Sequence, residues 1–134
     1  MFRSIPTCFL ITSAADEFNQ IRELVRQVCE ELQVELISVD TASYTSSTTG
    51  DIADAIERAD FVIADLTGDD SNVFLEFGMA HALRKPILPI SQDKQSAASD
   101  IAGHRLVFYR QDDTEKLGYY LRDWVTETAE SSQP

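Results

Sequence analysis

The sequence is short of cations, of sulfur and of long apolar runs. Its 134 residues include 11 Lys or Arg against 23 Asp or Glu, a formal net charge of −12. Over most of such a surface a polyanion is repelled, so nucleic-acid polymers are poor partners. A small anion is still admissible, because helix N-termini and backbone N–H groups supply local positive potential that the net charge hides. No stretch approaches the roughly 18 apolar residues of a membrane span, so no membrane partner is expected. Two cysteines, Cys8 and Cys29, sit on apolar stretches without metal or redox spacing. They read as small buried hydrophobes of a reducing, cytoplasmic compartment. Two histidines, His81 and His104, with no Cys at ligand spacing give no metal signature, so neither a metal nor another cofactor is expected.

What is present is an ordinary globular balance, 43% apolar and 25% charged residues, enough for one packed core. The N-terminal MFRSIPTCFLITS has one Arg and no small-residue cleavage site, so it reads as a first strand over residues 6–12. Ser13 and Asp16 then stand as cap and first-turn acid of a helix whose Phe18, Ile21, Leu24, Val28 and Leu32 recur every three or four positions. Residues 34–39 (VELISV) read as the second strand, followed by a polar stretch and a short helix from Asp51 with Ile52, Ala55 and Ile56. The run FVIA at 61–64 is continuously apolar, which suits a central parallel strand covered on both faces, and it ends at Asp65. NVFLEFGMAHALRK follows as a helix, Pro86 stops it, and PILPIS and RLVFY read as strands four and five. A last helix from Thr114 to Glu130 turns Leu117, Leu121, Trp124 and Val125 inward.

This alternation predicts one domain over residues 1–131 with a frayed tail at 132–134. The expected fold is α/β, a flavodoxin-like (Rossmannoid) open five-stranded parallel sheet with helices on both faces. In such sheets ligands bind outside the carboxyl ends of the strands at a switch point, so the loops after strands one, three and four are the ones to watch.

Four carboxylates, Asp51, Asp65, Asp70 and Glu76, gather around strand three and the helix after it. Asp65 ends a buried strand and is presented at the sheet's carboxyl edge. Glu76 falls one to two turns into its helix among Val73, Phe77, Met79 and Ala80, too apolar a setting for a solvated face. The helix dipole favours its ionised form and desolvation opposes it. A positioned, ionised carboxylate is what a covalent glycosyl-transfer nucleophile requires. The same residues also fit a purely structural assignment: Asp70 and Asn72 as turn and cap, Asp65 as a turn former, Glu76 paired with a base. Gly78 inside the helix costs about 1 kcal/mol relative to Ala and suggests close packing or ligand approach. Ser13 after strand one, Ser71 and Asn72 at the next helix start, and Ser91 with Gln92 after strand four complete the candidate binding residues.

The stretch from Asp51 to Ile90 resembles the nucleoside 2-deoxyribosyltransferases and their nucleotide N-hydrolase relatives. The likeness rests on Asp51-Ile52, Ala59-Asp60, Asp70 six residues before Glu76, the run Glu76-Phe77-Gly78-Met79-Ala80, and Lys85-Pro86. The resemblance implies Glu76 as nucleophile at the anomeric carbon, Asp70 as its orienting partner, and Asp51 as the group that contacts the base. The first loop departs from the family's aromatic or Gly-rich pattern and reads Thr12-Ser13-Ala14-Ala15. The segment is also similar to TIR-like domains, where a Glu on the corresponding helix supports cleavage of NAD. Short relatives with the phrase ADLTG and NVF before the Glu look like nucleotide-binding modules. The resemblance thus implies a nucleoside, nucleotide or NAD as small-molecule partner, a homo-oligomer, and N-glycosidic cleavage, transfer, or binding alone.

Overall fold

The computed structural model describes residues 4–38, 49–93 and 104–132. Most of the polar stretch predicted after the second strand lies outside them. Strand β1 (Thr7–Ile11) leads through a 3-10 turn (Asp16–Phe18) into helix α1 (Asn19–Glu31), and β2 (Glu35–Ser38) follows. Helix α2 (Thr49–Arg58) precedes β3 (Phe61–Asp65), and α3 (Ser71–Ala82) precedes β4 (Ile87–Ser91). The short β5 (Val107–Phe108) and the long helix α4 (Thr114–Ser132) close the chain. The strands form a single parallel sheet in the order β2-β1-β3-β4-β5, the α/β Rossmann-like fold that the sequence predicts.

Alternation along the two central strands decides which helix covers which face. Cys8 and Leu10 of β1 and Phe61 and Ile63 of β3 face one way, into a cluster with Ile21, Val25 and Val28 of α1 and Leu117, Leu121 and Val125 of α4. Phe9 and Ile11, with Val62 and Ala64, face the other way, against Ala55 and Ile56 of α2 and Val73, Phe77 and Ala80 of α3. All five residues of β3 are buried, as its unbroken apolar run requires of a strand packed on both faces. Trp124 is partly buried and meets the Phe61 ring edge-on at 5.6 Å, while Tyr119 is 62% exposed.

Several boundaries differ from the sequence expectation, each for a local reason. Helix α1 starts at Asn19 because the 3-10 turn comes first, and Ser13 caps no helix; its hydroxyl accepts the Ala15 N–H at 3.3 Å. Helix α3 stops before Pro86: Arg84 takes φ +58°, and the Arg84 and Lys85 N–H groups close back on the His81 and Ala80 carbonyls. The Lys85 ammonium then donates to the carbonyls of Glu57 (2.6 Å) and Ala59 (2.8 Å) at the end of α2, where the helix dipole favours a cation. The fifth strand is only two residues long, pairing Val107 with Ile90 and Phe108 with Ser91. The predicted frayed tail is helical through Ser132, whose hydroxyl, like that of Ser131, bonds back to a carbonyl of the preceding turn.

Leu121 is fully buried between α4 and the sheet. Leu121→Ala is expected to cost about 2–5 kcal/mol, read as a lower urea midpoint with an unchanged m value.

Candidate active site

The order of strands reverses direction between β1 and β3, and the two crossovers leave a crevice at the carboxyl ends of these strands. A cleft of about 440 Å³ lies here, lined by Thr12 to Ala15 after β1, Ile52 of α2, and Asp70, Asn72, Val73, Leu75, Glu76 and Met79. Its size is that of a small-molecule site.

Helix α3 sets the geometry. Asp70 is its N-cap, one carboxylate oxygen accepting the N–H groups of Asn72 (2.8 Å) and Val73 (3.3 Å). Those contacts satisfy two of the donors every helix start leaves open, and they hold the Asp70 charge at the cleft. Six residues on, Glu76 faces the same cleft at 7% exposure, and its Oε1 has no hydrogen-bond partner among the described residues. Burial, and secondarily the Asp70 charge, pushes the Glu76 carboxyl up to about 7. At neutral pH it can serve as carboxylate or as proton donor. Thr12 Oγ1 is the other buried side-chain atom left without a partner, and Thr12 lines the same cleft.

The remaining candidates separate into those at the cleft and those elsewhere. Ser13 and Asn72 line it. Asp51 is exposed in the first turn of α2, next to the lining residue Ile52 but not itself among the lining residues. Ser71 opens α3 on the exposed side, and Gly78 is exposed with open space where a Cβ would stand. The close approach that motivated Gly78 as a binding residue is therefore absent among the described residues.

Asp65 belongs to a different structure. It is fully buried; one oxygen accepts the N–H (3.0 Å) and hydroxyl (2.6 Å) of Thr67, and the other accepts the Tyr109 hydroxyl at 2.7 Å. Burial raises the Asp65 carboxyl pKa against the lowering effect of those bonds, and the same contact and burial raise the Tyr109 phenol. Thr67 Oγ1 also accepts the Gln92 N–H, and Ser91, fully buried, accepts the Asp93 N–H. Asp65 and Ser91 thus tie the turn before α3 to the ends of β4 and β5, away from the cleft residues. Tyr109 and Thr12 went unread in the sequence: nothing in the spacing of a tyrosine after an edge strand reveals a partner 44 positions away.

His81 and His104 come together across α3, Nδ1 to Nε2 at 3.2 Å, with His104 edge-on to Phe77. Sequence spacing alone left His104 without a neighbouring histidine. Burial, with His81 beside it, lowers the His104 pKa. No group of three or more His, Cys, Asp or Glu among the described residues is arranged for a metal ion, and no described helix is long and apolar enough to cross a membrane.

No family model matches the sequence, and no curated protein matches it significantly. Solved structures do match the fold. A 2-desoxiribosyltransferase from Leishmania mexicana superposes with a TM-score of 0.63 at 19% identity, covering 87% of this chain and 97% of that one. A CMP N-glycosidase, BcmB, from Clostridium botulinum gives 0.58 at 20% identity, over 90% and 98% of the two chains. A de novo designed Rossmann 2x3 protein gives 0.59 at 18% identity over 94% and 93%, so superposition at this level speaks for the fold and the side chains must speak for the chemistry.

The Glu76 carboxyl sits near 7 in the folded chain against 4.5 as its ordinary value, so the native state holds this proton more tightly. Its contribution to stability therefore falls as pH rises from about 4.5 to about 7 and stays lost above. Glu76→Gln, which cannot ionise, is expected to melt above the wild type at pH 8 and close to it at pH 5, checked by thermal denaturation at both values.

Proposed function

We propose that this chain breaks or transfers an N-glycosidic bond of a nucleoside or nucleotide, with Glu76 as nucleophile. The observation that carries the reading is the buried Glu76 oxygen without a partner at a small-molecule cleft. Leaving such an atom unsatisfied costs about 1–3 kcal/mol or more, a cost that a ligand can offset. The fold shared with a 2-desoxiribosyltransferase and a CMP N-glycosidase supports the same class of chemistry.

In this reading the Glu76 carboxylate attacks the anomeric carbon as the bond to the base nitrogen breaks, and the base leaves with the electron pair and takes up a proton. Water or a second base then attacks the same carbon and frees the carboxylate, so two inversions give net retention. Positive charge on the sugar in both transition states is stabilised by the Asp70 carboxylate, which its cap bonds hold in place. Asn72 and Ser13 are polar groups able to orient the sugar. Asp51, beside Ile52, is the candidate for contact with the base.

The nucleophile must be ionised, so base release is expected to rise with pH through about 7. The test incubates the protein with nucleosides, nucleotides and NAD and follows free base by chromatography, with Glu76→Ala alongside. Loss of at least about 100-fold on substitution is expected. Equal release by the altered protein would remove Glu76 from the chemistry. Nicotinamide from NAD alone selects a TIR-like glycohydrolase, and ligand-induced thermal stabilisation with no base from any compound selects a binding module.

A further inference from the structure

Glu76 and Thr12 are the two residues whose buried side-chain oxygens lack a partner among the described residues, and both line one cleft. Thr12 is 6% exposed and follows β1 directly, so its backbone is held by the sheet and its hydroxyl is not free to swing into solvent. A hydroxyl can donate or accept, and it matches a neutral polar group such as another hydroxyl.

The charges of the cleft point the same way. Its described lining holds the carboxylates of Asp70 and Glu76 and no Lys, Arg or His. The nearest base in sequence to the first loop, Arg22, donates to the carbonyls of Ser13 and Ala15 and to the Asn19 side chain, and it lines a separate hollow with Leu10 and Ser38. Outside the described residues, 39–48 hold Asp40 and no base, and 94–103 hold Lys94 as their one base. On a chain of net charge −12, a phosphate brought to this cleft meets two like charges and no side-chain cation among the described residues.

We propose that the cleft selects an uncharged nucleoside over its 5′-phosphate, and that Thr12 Oγ1 is a specificity-determining group that hydrogen-bonds a sugar hydroxyl. The proposal rests on the reading of this cleft as the glycosidic site. An occupied site pairs both orphan oxygens with one neutral sugar: the Glu76 carboxyl faces the anomeric carbon, and Thr12 meets a hydroxyl of the same ring. Any 5′-phosphate adds charge repulsion that salt screens.

The test is calorimetric binding of nucleosides whose base is joined through carbon, which the glycosidic chemistry leaves intact. Pseudouridine and formycin, in ribo and 2′-deoxy forms, are compared with their 5′-monophosphates. Binding of at least one nucleoside about tenfold tighter than its monophosphate at low ionic strength is expected, with the gap narrowing as salt is raised. Thr12→Val, close in shape, is expected to weaken that nucleoside several-fold and to leave Tm equal or higher, because it deletes an unsatisfied buried hydroxyl.

A monophosphate that binds as tightly as its nucleoside, whether or not Lys94→Ala abolishes this, overturns the selection. Base release from nucleotides that needs Glu76 would then leave the glycosidic reading standing. Unchanged nucleoside affinity in Thr12→Val, or a lower Tm, assigns the hydroxyl to the fold and overturns its role. Absence of binding by every nucleoside overturns the proposal, and base release from natural nucleosides decides separately whether the glycosidic reading survives.

Discussion

A carboxylate kept out of water with one oxygen unmatched is an expensive group to hold in place, and Glu76 is held there by everything around it. The helix that carries it is fixed at its start by the Asp70 cap and along its length by Val73, Phe77 and Ala80, which pack beneath the sheet with Phe9 and Val62. Moving Glu76 outward would require rolling α3 and lifting those side chains from the core, at roughly 1.5–3 kcal/mol for each large one exposed. Core packing thus supplies the free energy that keeps the side chain poised, and Asp70 adds a charge that makes its proton harder to lose.

A second polar assembly secures the opposite flank of the same turn. Asp65 has three donors and no route to the cleft, and the turn it closes is the one from which α3 begins. Gly68 in that turn takes φ +88°, a conformation natural to glycine, and its N–H donates to Asp93 beyond β4. The two acidic residues closest in sequence to α3 therefore divide their tasks: Asp65 anchors the loop to the sheet, and Asp70 carries charge to the site.

The sheet and its helices were legible because FVIA at 61–64 is too uniformly apolar for anything but a covered strand, and because Phe18 to Leu32 repeat at helical spacing. Boundaries were less legible where long-range contacts decide them. The end of α3 depends on Lys85 reaching back to α2, and the length of β5 on what β4 offers it. At the site, Glu76 could be singled out from its apolar neighbours, and Asp70 from its spacing. Asp65 could not be separated from them, since a strand-end carboxylate looks the same whether it faces a ligand or a tyrosine. Thr12 could not be found at all; only three-dimensional packing distinguishes a hydroxyl with no partner from one that has found a carbonyl.

The resemblance motif also divides between chemistry and carpentry. Asp60 accepts the Thr7 N–H at 2.8 Å and its own N–H donates back to the Thr7 carbonyl, pinning the entry of β3 to that of β1. At the borders of the sheet, β2 has four residues and β5 two, so neither offers a long row of open backbone groups. A foreign strand seeking to extend the sheet beyond β5 would find a ladder of two rungs, with Arg105 and Arg110 exposed on either side. Brevity at the rim thereby protects a molecule whose interior strands are among the most adhesive segments it contains.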